Sequence, residues 1–408
     1  MKRINTFLIA MFCVCSFAAA QNKHVFPDVE GFLTLKGEMH IHTRFSDGNV
    51  WPTARIDEAY LEGLDVVCMT DHIDDRHKKM VKSGLFNCDR NESYRIAAQQ
   101  GKSRGILVVH GGEVSRGLPP GHFNTLFVSD NEAIAVLNDA EKDHYKAMEV
   151  SLKEARKQNS FNVWNHPHWY AQAPNETKWF PEHTKLYEQG LMDGIEIYNS
   201  ADGYSPEAHQ WAIDRNLTLI GGTDYHSPAS IEMNFNEGEM RAITLIFAKE
   251  RTIEGVKEAL VARRTAVYGD GMVYGSEEVL TPLIKASLET TEVKFYKDAC
   301  AVTFVNRTNI PIVLRKGPGS EQLQYRRFLI VYPQEQVKYW IKSSDYYNAP
   351  LKLDEFDLSF HVENFHTAPD KPLLYMIHLT RPQSDEACSV DIPYSVSAVF
   401  CICARNRA

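Results

Sequence analysis

The chain has little net positive charge, few long apolar runs and no closely spaced cysteine framework. Its 44 Lys and Arg are outnumbered by 53 Asp and Glu, a formal charge of −9, which excludes a nucleic-acid or anionic-membrane binder working through net basicity. Beyond the first twenty residues no stretch is apolar and long enough to span a bilayer, so a multi-span transporter or channel is excluded as well. The 8 cysteines among 408 residues are too widely and irregularly placed for a small disulfide scaffold. Cys13 and Cys15 fall in the N-terminal apolar run, no pairing is favoured among Cys68, Cys88, Cys300, Cys388, Cys401 and Cys403, and Cys68 sits in an apolar strand pattern that predicts a buried, reduced thiol. A Gly-rich phosphate loop and a Gly-x-Ser-x-Gly elbow are also missing, so nucleotide-triphosphate hydrolases and serine hydrolases lack their parts.

What is present is a folded chain, 44% hydrophobic and 24% charged, of a length that predicts two domains. Lys2 and Arg3 precede an apolar run from Phe7 to Ala20 that ends in three alanines, the pattern of a secretory signal peptide over residues 1–20 with cleavage after Ala20. The expected location is periplasmic or secreted, with no membrane span after cleavage. From residue 21 to 274 short apolar runs alternate with helical patterns, including a long polar helix over Asp139 to Gln158, a strand over Phe161 to Trp164 and a helix over Pro206 to Arg215. Repeated βα units predict an α/β barrel or doubly wound sheet. From residue 275 to 408 the pattern becomes strands without helices between them, as in an all-β sandwich.

The chemistry-bearing residues stand where the barrel strands end. The first run stops at Gly37-Glu38-Met39-His40-Ile41-His42-Thr43-Arg44-Phe45-Ser46-Asp47-Gly48. Residues two apart on a strand project to one side, so His40 and His42 taken alone are open to two readings, a chelating pair or two adjacent buried rings that each find a polar partner. Later runs stop at Thr70-Asp71-His72, at His110-Gly111-Gly112-Glu113, at Asn165-His166-Pro167-His168 and at Gly222-Thr223-Asp224-Tyr225-His226. The C-terminal ends of parallel strands share one face, so these five endings converge on a metal site.

With His122 nine residues after Glu113, these motifs, in this order, resemble the PHP (polymerase and histidinol phosphatase) family of metal-dependent phosphoesterases over roughly residues 36–268. The chain looks most like exported bacterial members that append a β-sandwich. The resemblance implies a distorted (β/α)7 barrel carrying two to three divalent transition-metal ions. His40, His42, Glu113 and Asp224 would hold one ion. Glu113 would bridge to a second held by His122 and His166, and Asp47, His72 and His226 would hold a third. Some members carry histidine where Asp47 stands; its harder carboxylate favours manganese or iron over zinc. The implied activity is hydrolysis of a small phosphodiester or phosphomonoester by a hydroxide shared between the ions, with Glu113, Asp224 and His226 catalytic. No stable nucleic-acid partner is expected. An amidohydrolase is the alternative metal hydrolase, although its barrels bridge their ions through a carboxylated lysine, and a non-enzymatic metal- or ligand-binding protein is the alternative outside catalysis.

Around this set stand weaker candidates for substrate binding. Arg44 and Arg116 are each open to two readings, a phosphate clamp or an ordinary ion pair. His168 either meets substrate or is a satisfied loop histidine. Asp71 is expected to orient a ligand or a neighbouring backbone group, His110 to be structural, and Glu196, which also ends a strand, to be a further candidate. Trp164, Trp169, Trp179 and Tyr198 are expected in core or pocket walls.

Overall fold

In the computed structural model residues 23–74, 89–170, 176–343 and 353–382 are described; the signal segment 1–20 and every cysteine other than Cys68 and Cys300 lie outside them. The first half runs β1 (Leu33–Glu38), α1 (Pro52–Leu61), β2 (Val66–Met69), α2 (Glu92–Arg104), β3 (Leu107–Ser115), β4 (His122–Leu126), α3 (Asn131–Ala140), α4 (His144–Lys157), β5 (Phe161–Trp164), α5 (Pro181–Glu188), β6 (Gly194–Asn199), β7 (Gly203–Tyr204), α6 (Pro206–Arg215), β8 (Thr218–Gly222), α7 (Ala229–Glu232), β9 (Ile243–Ala248), α8 (Ile253–Val261), β10 (Thr265–Gly269) and β11 (Met272–Gly275). Helix starts follow local chemistry: proline opens α1 and α6, while the side chains of Ser205 and Thr252 accept the backbone N–H groups of Ala208 and Gly255. The helix expected over Asp139 to Gln158 starts only at His144, and residues 139–140 close the preceding α3 instead. Asp130 and Asp143 each cap a separate start by accepting a backbone N–H, and the chain is extended at Glu141 between them.

β1, β2 and β3 pair in parallel, as do β5, β6 and β8, whereas β4 joins the two sets by antiparallel pairing with β3 and β5. On the other side of β1 the strands β9, β10 and β11 follow in antiparallel order. Between β8 and β9 a threonine replaces a backbone ladder. The Thr244 hydroxyl accepts from Gly221 N (2.9 Å) and donates to Gly221 O (2.8 Å), and Thr265 Oγ1 donates to Leu219 O (2.9 Å). Cys68 is buried and free, as its apolar setting predicts, with its sulfur 3.8 Å from that of Met39.

Beyond Gly275 the expected all-strand pattern is interrupted at once by α9 (Glu277–Ser287), a helix masked in the sequence by Pro282 in its middle. Strands β12 (Leu288–Phe295), β13 (Ala299–Asn306), β14 (Ile312–Lys316), β15 (Leu323–Gln324), β16 (Phe328–Val331), β17 (Gln336–Ser343), β18 (Glu355–Ala368) and β19 (Lys371–Thr380) follow. They form an antiparallel sandwich. One sheet is ordered β12-β13-β17-β15, the other joins β16, β14, β18 and β19, and Phe304 and Tyr339 of the first pack against Phe360 of the second at centroid distances of 6.3 and 6.0 Å. The second sheet is continuous with the first half, because β11 pairs in parallel with β18 through Val273 with Phe365 and Tyr274 with His366.

Candidate metal centre

Parallel pairing of β1, β2 and β3, and of β5, β6 and β8, carries the ends of these strands to one side, and the side chains there converge. His40 and His42 leave β1 with their Nε2 atoms 3.2 Å apart. Asp224 Oδ1 lies 3.2 Å from the first and 2.8 Å from the second. Glu113 is as buried as these histidines, 1% exposed, with Oε1 3.0 Å from His122 Nδ1 and 3.5 Å from His166 Nε2, and Oε2 3.5 Å from His42 Nε2. Asp47 Oδ1 lies 3.2 Å from His226 Nε2 and 3.5 Å from His72 Nε2. Four overlapping groups emerge that can hold metal ions: His40, His42 and Glu113; Glu113, His122 and His166; His40, His166 and Asp224; and His42, Asp47, His72 and His226. All nine side chains expected as ligands belong to one or more of these groups. His42 additionally joins the outer group, which the motif order alone does not reveal.

Imidazole and carboxylate donors facing one another at these separations suit a divalent transition ion. Glu113 Oε2 supports the fit: it is buried and accepts no aligned hydrogen bond from the described residues. His72 Nδ1 stands 2.7 Å from it but is also directed at Ser115 Oγ, 2.6 Å away. Burial pushes the Glu113 carboxyl upward, yet His72, His122 and His166 outweigh burial and hold it well below the usual carboxylate range. Asp224 follows the same balance, burial opposed by His40, His42 and His166. Burial lowers His72, but Glu113 and Asp47 win and raise it to about 10, while burial and the neighbouring His72 push His42 down to about 4.

Two candidate ligands, His166 and Asp224, have left-handed backbones with φ of 31° and 57°, a region that residues with a Cβ avoid unless held there. They are held. His166 N donates to Glu196 Oε2 (2.7 Å) and Asp224 N to His40 O (2.8 Å). Glu196 also accepts from His40 Nδ1 at 2.8 Å, which turns the Nε2 of that ring toward Asp224. The pair fits because Gly222 passes beside it; a Cβ there would meet His40 Cβ at 2.7 Å and Glu196 Oε1 at 3.0 Å. Asp71 behaves as expected of an orienting group, accepting from Thr43 N, Thr43 Oγ1 and Ser46 Oγ, each at 2.7 Å. Beneath the site, Glu38 accepts from His40 N and Thr223 N and pairs with the buried Arg241, which also makes two 2.6 Å bonds to Glu62. Neither Glu38 nor Arg241 is signalled by a motif.

The remaining candidates disperse. Arg44 is half-buried beside the cluster, and its guanidinium has no partner among the described residues. The guanidinium of Arg116 lies instead on the backbone and side-chain oxygens of Asn138 near the end of α3, where helix carbonyls lack partners. His168 is exposed and meets Thr177 Oγ1 at 2.5 Å. His110 stacks on Tyr94 with ring centroids 4.2 Å apart, a structural contact outside the four groups. Trp169 stands at the mouth, with ring centroids 5.3 Å from His122 and 5.1 Å from His166.

Among solved structures the chain is similar to a two-domain protein from Bacteroides vulgatus ATCC 8482 described as containing a predicted PHP-like metal-dependent phosphoesterase. Sequence identity is 38% over 88% of this chain and 98% of that one, with a TM-score of 0.80. A histidinol phosphate phosphatase from Lactococcus lactis subsp. lactis, complexed with zinc, L-histidinol and phosphate, matches at 17% identity over 51% of this chain and 95% of its own, with a TM-score of 0.28. No family model and no curated protein matches the chain.

Proposed function

The chain belongs to the PHP-like metal-dependent phosphoesterases, and from that premise we propose that it hydrolyses a small phosphate ester at the cluster centred on Glu113. The observation that carries this reading is the packing of nine imidazole and carboxylate side chains, drawn from distant strand ends, into four overlapping ligand groups. His40, His42, Glu113 and Asp224 would hold one ion, Glu113, His122 and His166 a second, and Asp47, His72 and His226 a third, the ions being manganese, iron or zinc. When bound, such ions lower the pKa of water and stabilise charge on a phosphoryl oxygen.

The protein's own part is electrostatic and positional. Glu113 and Asp224 are kept ionised by the surrounding imidazoles, so both present anionic oxygens without a proton to lose. Glu196 fixes the ring of His40 and the backbone of His166. Arg44, two residues after His42 and without a side-chain partner among the described residues, would supply a positive charge for a phosphate oxygen, and Trp169 walls the side occupied by His122 and His166. Glu113 is shared by two of the groups, the place where an amidohydrolase would put its carboxylated lysine, which disfavours the amidohydrolase reading. No helix among the described residues is long and apolar enough to cross a membrane, and the basic-then-apolar pattern over residues 2–20 supports export.

A panel of phosphomonoesters and phosphodiesters, assayed with the full chain in manganese, iron or zinc, tests the proposal. Metal-dependent release of phosphate or alcohol, abolished by a chelator, is expected. A folded, metal-loaded protein that cleaves no phosphate ester would instead favour a binding protein.

A further inference from the structure

Arg55 lies in α1, is fully buried and belongs to none of the ligand groups. Its fork reaches three backbone carbonyls. Nε donates to His42 O (3.0 Å), one terminal nitrogen to Tyr225 O (2.8 Å), and the other to Ser227 O (2.9 Å) and Glu58 Oε2 (2.9 Å). His42 is itself a candidate ligand, Tyr225 lies between Asp224 and His226, and Ser227 follows His226. Two segments some 180 residues apart in sequence are thus tied to one guanidinium at the positions that aim their side chains. Neighbouring contacts run the same way: His42 N donates to Tyr225 O (3.2 Å), Asn49 N to His226 O (2.6 Å), and Ala229 N to Glu58 Oε1 (3.0 Å).

We propose that Arg55 is a positioning residue for the outer ion group of His42, Asp47, His72 and His226, locking the loop after β1 against the loop after β8 so that His42 and His226 meet one ion. The inference rests on the metal-site reading above. It extends that reading to a residue that touches neither ion nor substrate. The outer group depends on such a lock more than the inner ones, because Asp47 and His226 are each 35% exposed whereas Glu113 is 1% exposed and fixed by its strand. Lysine retains the charge but offers a single ammonium, which cannot span three carbonyls in the geometry of a planar fork.

The test is Mn2+ titration of metal-free full-length protein, with free Mn2+ read by electron paramagnetic resonance, for wild type, Arg55→Lys and Asp47→Ala. Circular dichroism and thermal unfolding accompany each titration. Arg55→Lys is expected to stay folded and to weaken one Mn2+ site by about 10- to 100-fold, the same site that Asp47→Ala removes, while the site of Glu113, His122 and His166, which takes no ligand from either loop, keeps wild-type affinity. Arg55→Ala should show the same weakened site, with partial recovery in millimolar methylguanidinium. Wild-type affinity at every site in Arg55→Lys, uniform weakening of all sites, or failure of the lysine variant to fold would each overturn the assignment. Because Mn2+ binding is read without turnover, a wild-type protein that binds Mn2+ but hydrolyses no phosphate ester would sink the phosphoesterase reading and leave this one standing.

Discussion

Glu196 Oε1 lies 2.8 Å from His40 Nδ1, and the other oxygen of the same carboxylate accepts the His166 backbone N–H at 2.7 Å. One side chain therefore orients candidate ligands on two different strand ends. Replacing Glu196 with Ala should leave the fold intact and lower Mn2+ affinity or activity by about 10- to 100-fold, with Glu196→Gln intermediate because an amide oxygen still accepts. Unchanged metal affinity in the alanine variant would remove Glu196 from this role.

Glu113→Gln should abolish turnover while the far-ultraviolet spectrum and melting temperature stay close to wild type. An amide keeps the shape but loses the negative charge on which the inner groups depend. Steady-state hydrolysis of an activated phosphodiester is the measurement. A variant retaining the wild-type rate would show that Glu113 is not central to the site.

The threonine seam between β8 and β9 predicts a stability effect with no change in metal binding. Thr244→Val removes the hydroxyl that serves both Gly221 N and Gly221 O, at about 1–3 kcal/mol for each buried group left unpaired. Urea unfolding should show the loss, and a variant as stable as wild type would mean that Gly221 finds other partners.

His24 is buried with neither ring nitrogen hydrogen-bonded among the described residues, and burial, helped by Arg241 and Lys36, pushes its pKa down to about 3. The folded value lies below the unfolded 6.5, so the unfolded chain takes up the proton first as pH falls. This residue's contribution to stability is intact above pH 6.5 and declines between pH 6.5 and 3, by up to about 1.4 kcal/mol per pH unit. His24→Phe should flatten the pH dependence of urea unfolding over that window. An unaltered slope would assign the acid sensitivity elsewhere.

Most candidate ligands were legible in the sequence because they follow apolar strands, whereas His122, which opens β4, and Asp47, in the loop after β1, were reached only through the family resemblance; the elements with clean boundaries, Phe161–Trp164 and Pro206–Arg215, fall where the pattern places them. Other features were hidden for physical reasons. The break between α3 and α4 depends on Asp143 acting as a cap within a charged stretch that also reads as helix. α9 carries Pro282, which argues against a helix when seen alone. β4 reads His-Phe-Asn-Thr-Leu and is buried at all five positions, so it shows no alternation. Glu196 could be noticed as a strand end. Arg55, Glu38 and Arg241 could not, since a supporting residue is defined by what folds against it, and surface and buried arginines look alike in a sequence.

The parallel register of Tyr274 with His366 means that no flexible tether separates the sandwich from the catalytic half. The junction is hydrogen-bonded backbone, and one apolar cluster runs from Ile41 through Tyr268 and Leu283 to Phe360 and Ile377. Across this junction the described strands form one continuous sheet. Hydrogen exchange across β10, β11 and β18 should therefore protect all three strands with one common opening energy, and the sandwich would transmit a load or an anchoring contact straight to the strands that flank β1, the strand leading into His40 and His42.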